Sequence, residues 1–431
     1  MAAPNGLATI GAPGTAAGFL NTPTFQRRAV FEMRRKSVFG PLSRVMKGKT
    51  SGSEPSDKGI DPSKTAAVLV QELDRGQRVN WTMEKVLKGA PTFGDRVPEK
   101  GGYLDFLHTS VDLNLVKSPA FQVKGEFEQF KQESTLDGTD EARIKNQLIM
   151  WNAQYYAHDH YISFLKGATD NLLSPSSNGG MAVDLGRGAG VQVSPMNILV
   201  RGTGFIGGAT LAARETALKS AIAGLSTSTA GHFLTIEGLQ EISEEVSAVS
   251  GKFEGIDMGG QEKFLLILPS IARLHLMGVG SSLADVAKYT MPLTADHPYF
   301  RFNPIQVGKL VVLFDDTLAK YSPDVTGSEI VWGKSTTNAQ SWEYPDLSSA
   351  QKGRGIGLLM GAGSLLTAQA KQMKFTEEYG EHEVGHEIAT KTYRSIVRKM
   401  FYDKQDSSVL PVDQSSMLVV FSMLSPKHGA S

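Results

Sequence analysis

Residues 66–167 constrain the fold more than any other stretch, because two extended segments flank a tip rich in Gly and Pro and then run into one long helical pattern. Val111, Leu113 and Leu115 alternate with Asp112 and Asn114, the period-two mark of a half-buried strand. Val79, Trp81 and Met83 alternate in the same way and read as its partner. The tip, from Gly89-Ala90-Pro91 to Gly101-Gly102, is not a sequence that holds regular structure. A two-stranded ribbon is marginal by itself in water. An arm of this length therefore has to lie on the rest of its own chain or on a neighbouring copy.

The helix that follows is predicted over about 140–166, with Asp140 as N-cap and Gly167 as the stop. Ile144, Leu148, Trp151, Tyr155, Ile162 and Leu165 form its apolar stripe. A Gly/Ser loop covers 171–195, and a second helix is expected at 235–249, capped by Thr235, with Ile236, Leu239, Ile242 and Val246 inward. KFLLIL (263–268), stopped by Pro269, reads as a buried strand, as do GKLVVLF (308–314) and SMLVVFSML (416–424). The Gly-rich run 355–371 reads as a helix. Helices and strands mix without regular βαβ alternation, which favours an α+β fold.

The N-terminus has two characters. Residues 1–23 are rich in Ala, Gly, Pro and Thr and are expected to be extended. Over 24–49, Arg27, Arg28, Arg34, Arg35, Lys36, Arg44, Lys47 and Lys49 face one acid, Glu32, with Val30, Phe31, Val38 and Phe39 interleaved. This reads as a basic helix with an apolar underside, or as an arm that docks on a neighbour or touches phosphates. Few of its positions look like core, so residues 1–49 are expected to be dispensable for folding. Residues 50–62 are a linker by composition.

Composition narrows the function. Basic and acidic residues balance at 44 each, which argues against an overall basic nucleic-acid binder. With no cysteine, a disulfide framework and thiolate chemistry are both excluded. No apolar stretch is long enough for a membrane helix, and residues 1–23 lack the pattern of a secretory signal, so a soluble intracellular protein is expected.

Four motifs suggest chemistry. His382-Glu383-Val384-Gly385-His386 matches H-E-x-x-H, in which two imidazoles share one helix face and hold zinc while Glu acts as base. No third ligand stands at a recognised spacing, and Glu387 follows the second His directly. Gly202-x-Gly204-x-x-Gly207 after an apolar run imitates a dinucleotide fingerprint, but the acidic ribose ligand about twenty residues on is missing. It reads as a glycine-rich turn. Gly333-Lys334-Ser335-Thr336 recapitulates the end of a phosphate loop, with Ser328 where its first glycine belongs. His158-Asp159-His160 lies inside the predicted long helix, where adjacent side chains point apart, so these are expected to be packed or interfacial histidines. No metal site and no cofactor are expected.

Over most of residues 66–401, the order of motifs resembles the major capsid proteins of tailed double-stranded DNA phages, in a podophage-like branch of the Hong Kong 97-type fold. The likeness is carried by the run from Leu73-Asp74-Arg75-Gly76 to Gly102-Tyr103-Leu104-Asp105-Phe106, by the helix ending at Leu165-Lys166-Gly167-Ala168, and by 263–277, 303–316, 355–371 and 377–401, in that order. The resemblance implies an N-terminal arm (1–60), an extended hairpin loop (61–125), a peripheral domain with the long spine helix (126–215, with a return over 350–431) and an axial domain (216–349). It further implies a structural, non-enzymatic subunit. Such a subunit assembles in host cytoplasm as hexamers and pentamers of an icosahedral virion shell. Scaffolding, portal and decoration proteins are the implied partners, with packaged DNA on the inner face and no membrane. Trp81, Met83, Leu104, Phe106, Arg27, Arg28, Arg34 and Arg35 are the candidate contacts between subunits. The alternative is a zinc metallopeptidase using His382, Glu383 and His386.

Overall fold

A computed structural model of the chain describes residues 23–46, 66–73, 78–84, 106–122, 139–166, 197–206, 211–226, 229–248, 253–258, 260–278, 304–326, 329–332, 352–379, 386–399 and 415–423. The first half comprises α1 (Pro23–Lys36), β1 (Ser43–Met46), β2 (Val68–Leu73), β3 (Arg78–Glu84), β4 (Phe106–Asp112), β5 (Asn114–Lys117), β6 (Phe121–Gln122), α2 (Thr139–Lys166), β7 (Ile198–Val200), β8 (Gly204–Phe205) and α3 (Leu211–Gly224). Then come α4 (Ile236–Ala248), β9 (Ile256–Met258), β10 (Gln261–Leu268), α5 (Ile271–Gly278), β11 (Ile305–Val307), β12 (Leu310–Phe314), β13 (Pro323–Thr326) and β14 (Glu329–Trp332). The chain closes with β15 (Arg354–Met360), β16 (Leu365–Ala370), β17 (Lys374–Tyr379), β18 (His386–Arg398) and β19 (Ser416–Ser422).

Two sheets organise these elements. In the first, β1 pairs parallel with β2, β2 parallel with β16, and β18 runs antiparallel to β16, β17, β5 and β6. The register shows how one strand accepts four partners. Lys391 is opposite both Lys374 and Lys117, and Arg394 opposite both Gln369 and Asn114. A residue has only two edges, so β16 and β17 line one edge of β18 in succession, while β5 and β6 line the other. The second sheet has the order β11-β12-β10-β15-β19-β7-β8, with β9 added to β10.

The second sheet is buried on both faces, which explains its uninterrupted apolar strands. Phe264, Leu266, Leu268, Leu310, Val312, Leu359, Met417 and Val419 pack with Ile236, Leu239, Ile242 and Val246 of α4. Leu265, Ile267, Val311, Leu313, Leu358, Leu418 and Val420 turn the other way, into a core shared with α1, α2 and the first sheet. Helix α4 forms as its sequence predicts, with the Gly238 amide donating to Thr235 Oγ1 at 3.1 Å. The strands expected at 263–268, 308–314 and 416–424 are β10, β12 and β19.

Three expectations are corrected. The run 355–371 is two strands, β15 and β16, not a helix. Short apolar runs do not distinguish the two states, and here both faces are filled: a Cβ on Gly357 would lie 2.7 Å from Leu268 Cδ2. In the hairpin, Val79 is opposite Val111, Trp81 opposite Thr109 and Met83 opposite Leu107, so β4 ends at Asp112. Leu115 belongs instead to β5, which crosses to the first sheet. Residues 24–46 are integral to the subunit core rather than separable from it: Ala29, Val30, Met33, Phe39 and Leu42 are buried, and β1 is a strand of the first sheet. The described strands of 350–431 contribute to both sheets, β15 and β19 to the second and β16, β17 and β18 to the first.

Candidate assembly surfaces

Helix α2 lies across the first sheet and determines which surfaces remain for other molecules. Its C-terminal half is wrapped on all sides: Tyr156, His160, Tyr161, Ser163 and Phe164 are buried along with the expected Ile162 and Leu165. Leu148 of the expected stripe is buried, whereas Trp151 and Tyr155 are half-buried. The three polar residues in the middle separate as helix geometry requires. Nδ1 of His158 lies 2.6 Å from the Tyr321 hydroxyl. Asp159 accepts from Arg394 Nε of β18 at 2.7 Å. The Nδ1–H of His160 donates to the Tyr156 carbonyl at 2.7 Å, and its Nε2 accepts from Thr367 Oγ1 of β16 at 3.1 Å.

This is a neutral imidazole held on both nitrogens, and burial lowers the His160 pKa to about 3. Burial also raises the Tyr156 hydroxyl to about 12, against the pull of Arg34 and Arg394. Arg394 is itself buried, with its guanidinium over the rings of Tyr155 (5.2 Å) and Tyr156 (5.5 Å). Phe39, just beyond α1, stacks on His160 at 4.6 Å between ring centroids and meets Tyr161 edge-on at 5.0 Å. Two further contacts tie the first sheet and α2 to the elements of the second sheet. Lys399, after β18, is paired with Glu254 at 2.5 Å, and Tyr161 donates to Asp315 beyond β12. The sequence singled out His158-Asp159-His160 as packed or interfacial, and they are packed, but their partners Tyr321, Arg394 and Thr367 were not singled out.

The arginines of α1 divide. Arg34 turns inward and pairs with Glu72 of β2. Arg27, Arg28 and Arg35 face outward, Arg28 paired with Glu32 at 3.0 Å, and exposed Phe31 stands among them. In the hairpin, β3 and β4 pair over seven residues from Arg78–Asp112 to Glu84–Phe106 and form a sheet of their own. This ribbon carries Trp81, Met83 and Phe106, while Leu104 lies outside the described residues. Leu115, Met150, Phe205 and Tyr393, like Phe31, are large apolar side chains left exposed.

Among the described residues, the chemical motifs do not assemble into a catalytic site. His386 opens strand β18, paired with Tyr379, so the shared helix face that H-E-x-x-H requires is lacking at its second histidine. His382 and Glu383 lie outside the described residues, as do 333–336. Among the described residues no group of three His, Asp or Glu side chains could hold a metal ion. The first two glycines of the glycine motif belong to the turn from β7 into β8, with Gly202 and Gly204 at φ 83° and 89°, while Gly207 lies outside the described residues. Among the described residues, no helix is long and apolar enough to cross a membrane.

No protein-family model and no curated protein matches the sequence. Solved structures do. The capsid of Ralstonia phage GP4 matches 89% of this chain and 98% of its own at a TM-score of 0.54 and 14% identity. The acid-stable capsid of Helicobacter pylori bacteriophage KHP30 matches 90% of this chain and 91% of its own, at a TM-score of 0.50 and 12% identity. The fold is a phage-capsid fold. The chain is α+β, and its mixture of helices and sheets fits the Hong Kong 97-type fold class of these capsids. At such identities the likeness lies in backbone topology, and the buried pairs described above belong to this chain's own sequence.

Proposed function

We propose that this chain is the major capsid subunit of a tailed double-stranded DNA phage and self-assembles into the icosahedral head. The observation that carries the reading is a capsid fold spanning about nine-tenths of the chain and of the solved capsid subunits. The hairpin supports it: β3 and β4 pair only with each other among the described residues, and a ribbon of two strands buries too little to stand alone. On this reading Trp81, Met83, Leu104 and Phe106 lie over a neighbouring subunit, and Arg27, Arg28 and Arg35 meet a neighbour or packaged DNA. The first sheet with α2 is the peripheral domain, and the second sheet with α4 is the axial domain. Scaffolding, portal and decoration proteins are the expected partners. The chain works by assembly and not by catalysis, through interfaces repeated by symmetry. Sedimentation and electron microscopy of the purified chain test this. Closed shells of uniform diameter are expected, whereas a monodisperse monomer under conditions from low to high salt would refute it.

A further inference from the structure

The face of the first sheet turned away from α2 carries an unusual row of charge. Lys391 of β18 is directly opposite Lys374 of β17 on one side and Lys117 of β5 on the other. Cross-strand partners point to the same side of a sheet, so three ammonium groups share one face over two strand spacings, about 9.5 Å. That face is opposite the one holding Thr390 and Arg394, which contact Asn152 and Asp159 of α2. Lys117 and Lys374 are exposed and Lys391 half-buried. No hydrogen bond or ion pair joins any of them to a described residue. Like charges set directly opposite destabilise an isolated sheet. Beside the row, two residues along, exposed Tyr393 and Leu115 are also cross-strand partners.

A matching surface of opposite sign lies on the same chain. The outward face of α4 presents Glu237, Glu241 and Glu244, all exposed and spaced four and three apart. From Glu237 to Glu244 the helix rises about 10.5 Å, close to the length of the lysine row. Burial raises the pKa of the adjacent Glu245, with Glu241 reinforcing and Arg201 opposing the shift. Exposed Phe205 lies on β8, just past the turn that Arg201 ties to Glu241 at 2.7 Å. Each surface thus combines a row of like-charged side chains with an exposed aromatic residue. Net charge is zero over the whole chain.

We infer that the lysine row and the Tyr393–Leu115 pair of one copy dock against the acidic face of α4 on a neighbouring copy. This rests on the capsid reading and names one of its interfaces. It is heterologous: different patches meet, so the contact propagates around a ring. An exposed Leu–Tyr pair adds nothing to binding a phosphate backbone, which favours a protein partner with its own apolar anchor over nucleic acid.

The test uses the full chain. Lys117→Glu with Lys391→Glu, and separately Glu237→Lys with Glu244→Lys, should each leave subunit circular dichroism unchanged and lower shell yield about tenfold or more. Combining all four should restore shells, because the charges are exchanged. Unimpaired shells from either pair, or no recovery in the combined variant, would overturn the inference while leaving wild-type shells to support the capsid reading. Lysine variants that assemble normally but lose DNA retention would assign the row to nucleic acid and also overturn it. Because the chain has no cysteine, a direct measurement is available whether or not shells form. Lys391→Cys and Glu244→Cys copies, mixed and treated with a short thiol-specific bis-maleimide that spans the length of a Lys–Glu pair, should give a cross-linked pair, and its absence would refute the contact.

Discussion

Asp159→Ala isolates the polar pair at the centre of the subunit. The Asp159–Arg394 side chains are 10% and 1% exposed and meet at 2.7 Å. Truncating the acid leaves a guanidinium buried with two aromatic rings and no counter-charge, since Glu72, the other acid whose charge reaches Tyr156, is already taken by Arg34. Breaking one partner of such a pair costs about 3–5 kcal/mol. Stacking on Tyr155 and Tyr156 recovers about 1–2 kcal/mol at most, and that term exists before the substitution as well. The expected loss is therefore about 3 kcal/mol or more. Replacing both residues, Asp159→Leu with Arg394→Met, removes the charges together and should cost markedly less. Urea unfolding of the soluble subunit, followed by circular dichroism, measures both. A loss under about 1 kcal/mol for Asp159→Ala, or a double variant as damaged as the single, would refute the buried-pair argument.

Phe39→Ala should cost about 3–5 kcal/mol and lower the midpoint of urea unfolding of the subunit, because the ring is fully buried against His160 and Tyr161. Wild-type stability after that change would return residues 24–46 to the status of a separable arm. Stability should also fall on acidification. His160 is held neutral with a folded pKa of about 3 against 6.5 unfolded, so its contribution is complete above pH 6.5 and is lost as pH falls toward 3, by about 1.4 kcal/mol per unit within that window. His160→Gln should flatten this slope in pH-dependent unfolding, and an unchanged slope would exclude His160 as its source. Gly361→Ala should destabilise by about 1–3 kcal/mol or more in the same assay, since the new Cβ would sit 2.0 Å from the Glu254 carbonyl oxygen. A neutral result would mean that the backbone there yields.

What the sequence makes legible depends on whether the cause is local. Helix α4 could be read in full because Thr235 caps it and a single stripe faces one sheet. Strands β10, β12 and β19 were legible because burial on both faces leaves runs such as FLLIL. Runs β15 and β16 have the same cause, but their glycines imitate a flexible helix, and only Leu268 and Phe421 across the sheet explain why side chains are missing there. Helix α2 shows the opposite failure. Its stripe identifies the helix but not Asn152, whose role depends on Thr390, 238 residues away. The apolar underside of α1 was legible, but not that it belongs to the subunit core, which is set by Met33 and Phe39 meeting residues beyond position 150. The hairpin was legible as a ribbon, while its end at Asp112 was not, because Leu113 continues the alternation past the point where the chain changes sheets.

Electron cryo-microscopy of the assembled protein, at a resolution that traces β3 and β4, tests the central claim most directly. The account predicts a closed icosahedral shell in which the β3–β4 ribbon of each subunit lies on its neighbour and Trp81 is covered by that neighbour. A ribbon folded back onto its own subunit, or a purified chain that forms no shell at all, would contradict it.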